Sequence, residues 1–214
     1  GCYNVSSIPY APVAYTAGTP VVFPDDQFSS VLPIGFSFCF MGTQYNNFLI
    51  SSNGFITFDP GCAGEFSEYD PVAIPSAIEP SALLAVMPTW QDIDPSVGGS
   101  IRYSTLGLAP NRRLVVSFNQ IPYFDCNSIL YTGQLILYET SNIIEFNVQD
   151  KPVCSSWVGG RAVQGIHDYT GTVAVTTAGR NNSVFTLTND AQRYSPTCAP
   201  CNPLLSVNYL DFSA

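Results

Sequence analysis

"LPIGFSFCFMGTQYNNFLISSNGFITFD", residues 32–59, carries the alternation that decides the fold. Its first nine residues set Ile34, Phe36, Phe38 and Phe40 against Gly35, Ser37 and Cys39. An apolar side chain at every second position is what a strand with one buried face requires. A second apolar run then meets a third across Asn53-Gly54. That dipeptide tolerates positive φ at both positions and reads as a hairpin turn between two strands.

The pattern repeats downstream in "GSIRYSTLG", "RRLVVSFNQI", "TGQLILYET", "IIEFNVQD", "AVQGIHDYTG", "TVAVTTAG" and "SVFTL". Pro, Gly and Asn clusters separate these runs at intervals of about 8–15 residues, the rhythm of sandwiches and barrels. No window of a dozen residues carries a helical stripe, and only "PSALLAV" reads as a short helical turn. The chain is therefore expected to be all-β: an antiparallel β-sandwich, jelly-roll-like and disulfide-stabilised. Residues 1–19 read as an N-terminal extended segment, 20–196 as the sandwich domain, and 197–214 as a linker or the beginning of a next module.

Composition excludes several functions. The 214 residues are 46% hydrophobic, enough to bury a sizeable core, so a disordered reading fails. Only 11% are charged, the formal charge is −9, and Lys151 is the single lysine. Such a chain repels phosphate backbones and anionic headgroups and has no basic cluster to offset the repulsion, so neither nucleic acid nor a membrane surface is an expected partner. The first residues, "GCYNVSS", do not read as a signal peptide. The longest apolar stretch, "AIPSAIEPSALLAVMPTW", is broken by Glu79 and three prolines and does not read as a membrane span. The expectation is a mature portion of something longer.

Seven cysteines accompany a lone histidine, His167, which cannot complete a Cys/His zinc site. Disulfides are the better account and imply an oxidising, extracellular setting. Cys126 in "IPYFDC" and Cys154 in "KPVCSSW" both sit beside turn residues at strand ends. A bridge between them would staple two strand termini and contribute about 3–4 kcal/mol in the chain-entropy model. Cys198-Ala199-Pro200-Cys201 spells a redox motif, but no helix follows it, so a linker disulfide or partners for cysteines elsewhere are expected. An odd count leaves one thiol free or paired outside the chain.

Two groups of residues are candidate sites. In "PTWQDIDPSVGGSIRY", Asp92 and Asp94 lie one residue apart before Asp-Pro and Gly-Gly. The pair reads first as a turn in which Asp92 caps nearby amides. The second reading is a calcium site, completed by Asp25 and Asp26 or by Asp125 if the fold brings them close; calcium is the only cofactor the sequence suggests. The spacing lacks the loop and closing Glu of an EF-hand. No nucleophile elbow or catalytic triad accompanies the pair, so no catalytic residue is expected. Trp157, Tyr123, Phe124 and Tyr169 fall at strand ends or loops, where a sandwich displays binding surfaces, and form the expected ligand-binding aromatics. Trp90 reads as a rim of the core.

The succession "FPDDQFSSVLPIGFSFCFMGTQYNNFLISSNGFITFD", "WQDIDPSVGGSIRY", "APNRRLVVSFNQIPYFDCNS", "LYETSNIIEFNVQDKPVCSSWVGGRAVQGI" and "AGRNNSVFTLTNDAQRY" resembles a module of large secreted surface proteins of gliding bacteria. These are the gliding-motility adhesins exported by type IX secretion. More distantly, "SNGFITF" followed by "PTWQDID" is similar to nidogen-like extracellular domains. The resemblance covers about residues 20–196 and implies a non-enzymatic extracellular module of a bacterial cell-surface adhesin, serving adhesion or surface-filament structure in gliding. Its partners would be neighbouring modules, other surface proteins or glycans; the alternative is a carbohydrate-binding module. The resemblance also pairs "DCNS" with "VCSSW", in agreement with the Cys126–Cys154 bridge, and the chain departs from it at Cys62 in "DPGCAGEFSEYD".

Overall fold

The computed structural model describes residues 1–198 and Cys201. Among these, the alternation becomes strands β1 (Tyr3–Ser7), β2 (Thr19–Pro20), β3 (Leu32–Phe40), β4 (Thr43–Ser51), β5 (Phe55–Thr57), β6 (Ala85–Trp90) and β7 (Ser100–Leu106). They are followed by β8 (Arg113–Tyr123), β9 (Cys126–Tyr138), β10 (Ile144–Lys151), β11 (Ala162–His167), β12 (Ala174–Ser183) and β13 (Leu187–Pro196). One sheet runs β1-β13-β10-β9-β8-β7-β2 and the other β12-β11-β6-β5-β4-β3. Every pairing is antiparallel, and the two sheets pack face to face as the expected sandwich.

The stretch at residues 32–59 forms β3, β4 and β5. Ser51 pairs with Phe55, so the turn spans three residues, and only Gly54 takes positive φ, where both Asn53 and Gly54 were expected to tolerate it. A Cβ at Gly54 would lie 2.3 Å from the Thr89 carbonyl oxygen, so glycine is required there on both counts. The inward faces of the sheets meet in a core that includes Phe38, Phe48, Ile56, Phe118, Leu135 and Phe146.

A second apolar cluster lies on the other face of the six-stranded sheet. Leu49, Phe55, Met87 and Trp90 pack there beneath Phe28, Ile74 and Ala82, which come from irregular chain before β3 and between β5 and β6. The centre of the sheet, β5, β6 and β11, is thus buried on both faces. This explains a departure from the sequence reading: "PSALLAV" was expected only as a helical turn, and the turn is confined to the 3₁₀ residues Pro80–Ala82 before the central strand β6 begins. All six residues of β6 are buried, and a strand covered on both faces has no period of two to read. Pro88 sits inside it without a ladder donor because the β6–β11 register shifts at that point, and Gln164 Nε2 donates to the Pro88 carbonyl at 3.0 Å.

Residues 1–19 are extended, as expected, but they belong to the sandwich. Tyr3–Ser7 is an edge strand paired with β13. The segment after it crosses the outer face of the seven-stranded sheet, where buried amides supply its partners. Gln134 accepts from the Val13 amide at 3.1 Å and donates to its carbonyl at 2.9 Å, and Asn147 Oδ1 accepts from the Ala11 amide at 3.3 Å. At the other end, "SVFTL" was expected as a strand, whereas the strand starts at Leu187 and runs through the polar residues to Pro196.

Cys126 is bonded to Cys154. The two C-terminal cysteines close back on the domain, Cys198 with Cys2 and Cys201 with Cys39. Thr197, Cys198 and Cys201 of the expected linker are therefore held to the sandwich, while the remainder of 197–214 lies outside the described residues. Cys62 is the free thiol among the described residues, and burial together with Asp59 pushes its pKa up to about 11, which keeps it protonated and a poor nucleophile. Among the described residues no helix is long and apolar enough to cross a membrane.

Lys151, the single lysine, is buried at 1% exposure. Its ammonium donates to the Phe185 carbonyl at 2.7 Å and stands 4.4 Å from the centre of the Phe185 ring, with no carboxylate among its hydrogen-bond partners. Burial lowers its pKa to about 8. The unfolded chain holds that proton up to about pH 10.4. Above about pH 8 the unfolded state therefore binds more protons, and stability rises with pH. Between pH 8 and 9.5 the wild type should gain about 1.5 kcal/mol relative to Lys151→Met, a difference that urea midpoints at the two pH values would measure.

Candidate metal centre and aromatic rim

The turn between β4 and β5 organises one end of the six-stranded sheet. Asn53 is fully buried there, and its Nδ2 donates to Asp26 Oδ1 at 3.0 Å and to the Ser67 carbonyl at 3.1 Å. Its carbonyl accepts from the Gln91 amide at 3.2 Å. Asn53 thereby ties together the chain before β3, the irregular cover between β5 and β6, and the residues that lead to Asp92. Asp26 itself adopts positive φ, and its carbonyl accepts from the Ser67 amide at 2.8 Å.

Residues 92–94 run antiparallel to 122–124: the Phe124 amide donates to the Asp92 carbonyl at 3.2 Å and the Asp94 amide to the Pro122 carbonyl at 2.8 Å. Ile93 points into the core, so the flanking Asp92 and Asp94 project to the other side. The two acids then differ. Asp94 Oδ1 accepts from the amide and hydroxyl of Ser96, so Asp94 makes the turn cap that the sequence reading gave to Asp92. Asp92, buried like Asp94, instead accepts at Oδ2 from Trp157 Nε1 at 2.8 Å.

Of the four aspartates expected to share a metal, the fold brings three together. Asp25, Asp26 and Asp92 each present a carboxylate oxygen within 4.8 Å of the others, and Asp94 stands outside that set. Asp125 is engaged elsewhere, accepting from Ser156 Oγ at 2.9 Å. Asp25 Oδ1, Asp92 Oδ1 and Asn53 Oδ1 are buried acceptors without a donor. Among the described residues the four ion pairs lie elsewhere, so no arginine or lysine neutralises the group. Burial, aided by the charges of Asp26 and Asp25, pushes the Asp92 carboxyl up to about 8 despite the Trp157 bond. Burial and the charge of Asp26 raise Asp25 to about 6. The site concentrates oxygen acceptors and negative charge and supplies no cation.

The aromatic residues divide. Trp157 is partly buried and stands 4.7 Å from Phe124 and 5.9 Å from Tyr69, centre to centre. The Cys126–Cys154 bridge holds this rim, since the Trp157 amide donates to the Cys154 carbonyl at 3.3 Å. Tyr123 is buried behind it. Tyr169 does not join the group: it follows β11 while Trp157 precedes it, and six strand residues span roughly 20 Å. Beside Asp92, among Trp157, Phe124 and Arg161, the open space is only about 10 Å³. That is room for one ion or water. Trp90 is fully buried and donates to the Glu68 carbonyl at 2.9 Å. His167 is buried too, bridging the Ala82 carbonyl and the Ser76 amide, and works as a clamp on the sheet cover.

Sequence reading assigns Asn53 only to a turn and gives Glu68 and Tyr69 no role. A buried asparagine at a hairpin tip looks like any other turn residue until the chain that packs over it is known.

The family described as NIDO related matches residues 2–202, and the chain belongs to it. The match begins ahead of β1, in keeping with the place of that strand in the sandwich. No curated protein and no solved structure matches the chain. Family membership and three disulfides together suggest an extracellular location.

Asn53→Ala would strip the side-chain donor from half-buried Asp26 and from the buried Ser67 carbonyl, while the Glu68 carbonyl keeps the Trp90 indole. Each buried acceptor left unmade costs about 1–3 kcal/mol, so the variant should lose roughly 3 kcal/mol or more in urea unfolding, with an unchanged m-value.

Proposed function

We propose that this member of the NIDO related family is a non-enzymatic extracellular module that grips neighbouring modules or other surface proteins through the rim around Trp157, Phe124 and Tyr69. The observation that carries the reading is a disulfide-held cluster of aromatic rings at a sandwich edge beside a space of only about 10 Å³. Rings fixed in this way offer contact area at little cost in side-chain entropy. The space beside Asp92 and Trp157 is too small to hold a glycosidic bond between two carboxyl groups. The resemblance of residues 20–196 to gliding-motility adhesins supports the finer reading, a surface module of a bacterial adhesin or filament exported by type IX secretion. A net charge of −9 supports protein contacts over nucleic acid.

Carbohydrate binding is the competing reading, and Trp157 argues against it. Its indole N–H is bound to Asp92, and Phe124 and Tyr69 lean on the ring at tilted angles, so no flat, open platform faces solvent.

Beads coated with the wild-type chain should adhere to a surface coated with the same chain or with its neighbouring modules, and Phe124→Ala beads several-fold less. A glycan array should stay blank and a glycan panel unhydrolysed. Sugar binding that disappears in Trp157→Ala would replace this reading, and turnover would end it.

A further inference from the structure

We infer that Asp25, Asp26 and Asp92, with the Asn53 carboxamide oxygen, share one calcium ion, and that this ion fixes the Trp157 indole through Asp92. Three observations converge. Oxygens from the three carboxylates lie within 4.8 Å of one another, the span of two ligands on opposite sides of a common ion at the 2.3–2.6 Å typical of calcium. One side-chain oxygen on each of Asp25, Asp92 and Asn53 is buried with no donor, although buried acceptors are ordinarily paired. Asn53 is 0% and Asp92 5% exposed, so solvent does not meet this need.

On Asp25, Asp92 and Asn53 the unsatisfied atom is an acceptor, so what these three lack is a donor or a cation; the unpaired donors on Gln91 and Arg102 make no hydrogen bond to them. Lys151 and the ion-paired arginines Arg112, Arg161, Arg180 and Arg193 are committed elsewhere. The chemistry of the donors selects the ion. All are hard oxygens, and neither the lone histidine nor a cysteine belongs to the group, which disfavours zinc. Carboxylates from two separate chain segments joined by a carboxamide suit calcium, with its irregular six to eight ligands, better than magnesium, which demands near-octahedral geometry and keeps its waters. Backbone carbonyls or water would complete the shell.

The ion would hold Asp92 as a carboxylate, and a carboxylate accepts a shorter and stronger hydrogen bond from the indole N–H than a neutral acid does. Calcium would thus link the chain before β3 to the rim carried by the Cys126–Cys154 bridge, and set the position of the ring that Phe124 and Tyr69 lean on. The regulatory half of this inference rests on the rim being the gripping surface; the ion site itself does not.

The test is calorimetric titration of EDTA-stripped, buffer-exchanged protein with calcium chloride and separately with magnesium chloride, with the folded state verified by circular dichroism. One calcium per chain is expected, with a dissociation constant on the order of 10⁻⁴–10⁻³ M, the range of extracellular modules, and weaker magnesium binding. Asp25→Asn, at the half-buried and most replaceable ligand, and Asp26→Asn should each weaken calcium by about tenfold or more. Calcium should shift the tryptophan emission of the wild type, while Trp157→Phe should still take up one ion without an emission change. Absence of heat and of any rise in melting temperature at millimolar calcium in the folded wild type would overturn the site, as would uptake indifferent to both aspartate variants. Uptake without an emission change would overturn the coupling. Because the titration needs no partner, failed bead adhesion beside an intact calcium isotherm would count against the adhesion reading alone.

Discussion

The centre of the six-stranded sheet, β5, β6 and β11, is buried on both faces, and most of what is distinctive in the molecule follows from that constraint. A sheet closed by its partner on one side needs a second cover on the other, and here the cover is irregular chain rather than helix. Irregular backbone laid on an apolar face carries amides and carbonyls that the sheet cannot pair. Side chains meet the need instead. His167 bridges the Ala82 carbonyl and the Ser76 amide, Asn181 takes both backbone groups of Ile74, and Asn53 holds the carbonyls of Ser67 and Glu68. The acidic cluster stands where this cover meets the end of β6, and its crowding reflects the attachment of the cover there.

The same constraint explains what could be read from sequence. β3 shows its alternation because alternate side chains along much of its length face solvent. β6 shows none because all its side chains are buried, and Pro88 adds a residue that usually argues against a central strand. β1 is short and polar, and its strand character comes from pairing with β13, almost the whole chain away. The local disulfide, closing 28 residues between two turns, was legible. The bridges from Cys2 and Cys39 to the C-terminal cysteines were not, since spacing does not choose among pairings once loops are long.

The site was legible in residue type and not in arrangement. The aspartates at 25, 26, 92 and 94 stand out in a chain with few charges, but nothing local says that Asp92 joins the first two while Asp94 turns back to Ser96. Trp157 stood out among small residues and suggested exposure; its bond to Asp92 crosses 65 positions and draws the ring partly inward. Tyr169 had the same credentials and lies at the far end of β11. Each error is one of long-range geometry, where a two-residue period carries no information.

The bridge between Cys2 and Cys198 joins points flanking the edge pair β1 and β13. Pulling on the backbone at these two points would send tension through a covalent link and leave the sheets unstretched. The strand ladders and the core between them would sit beside the line of force instead of within it, so the module could keep its rim in register while load passes by.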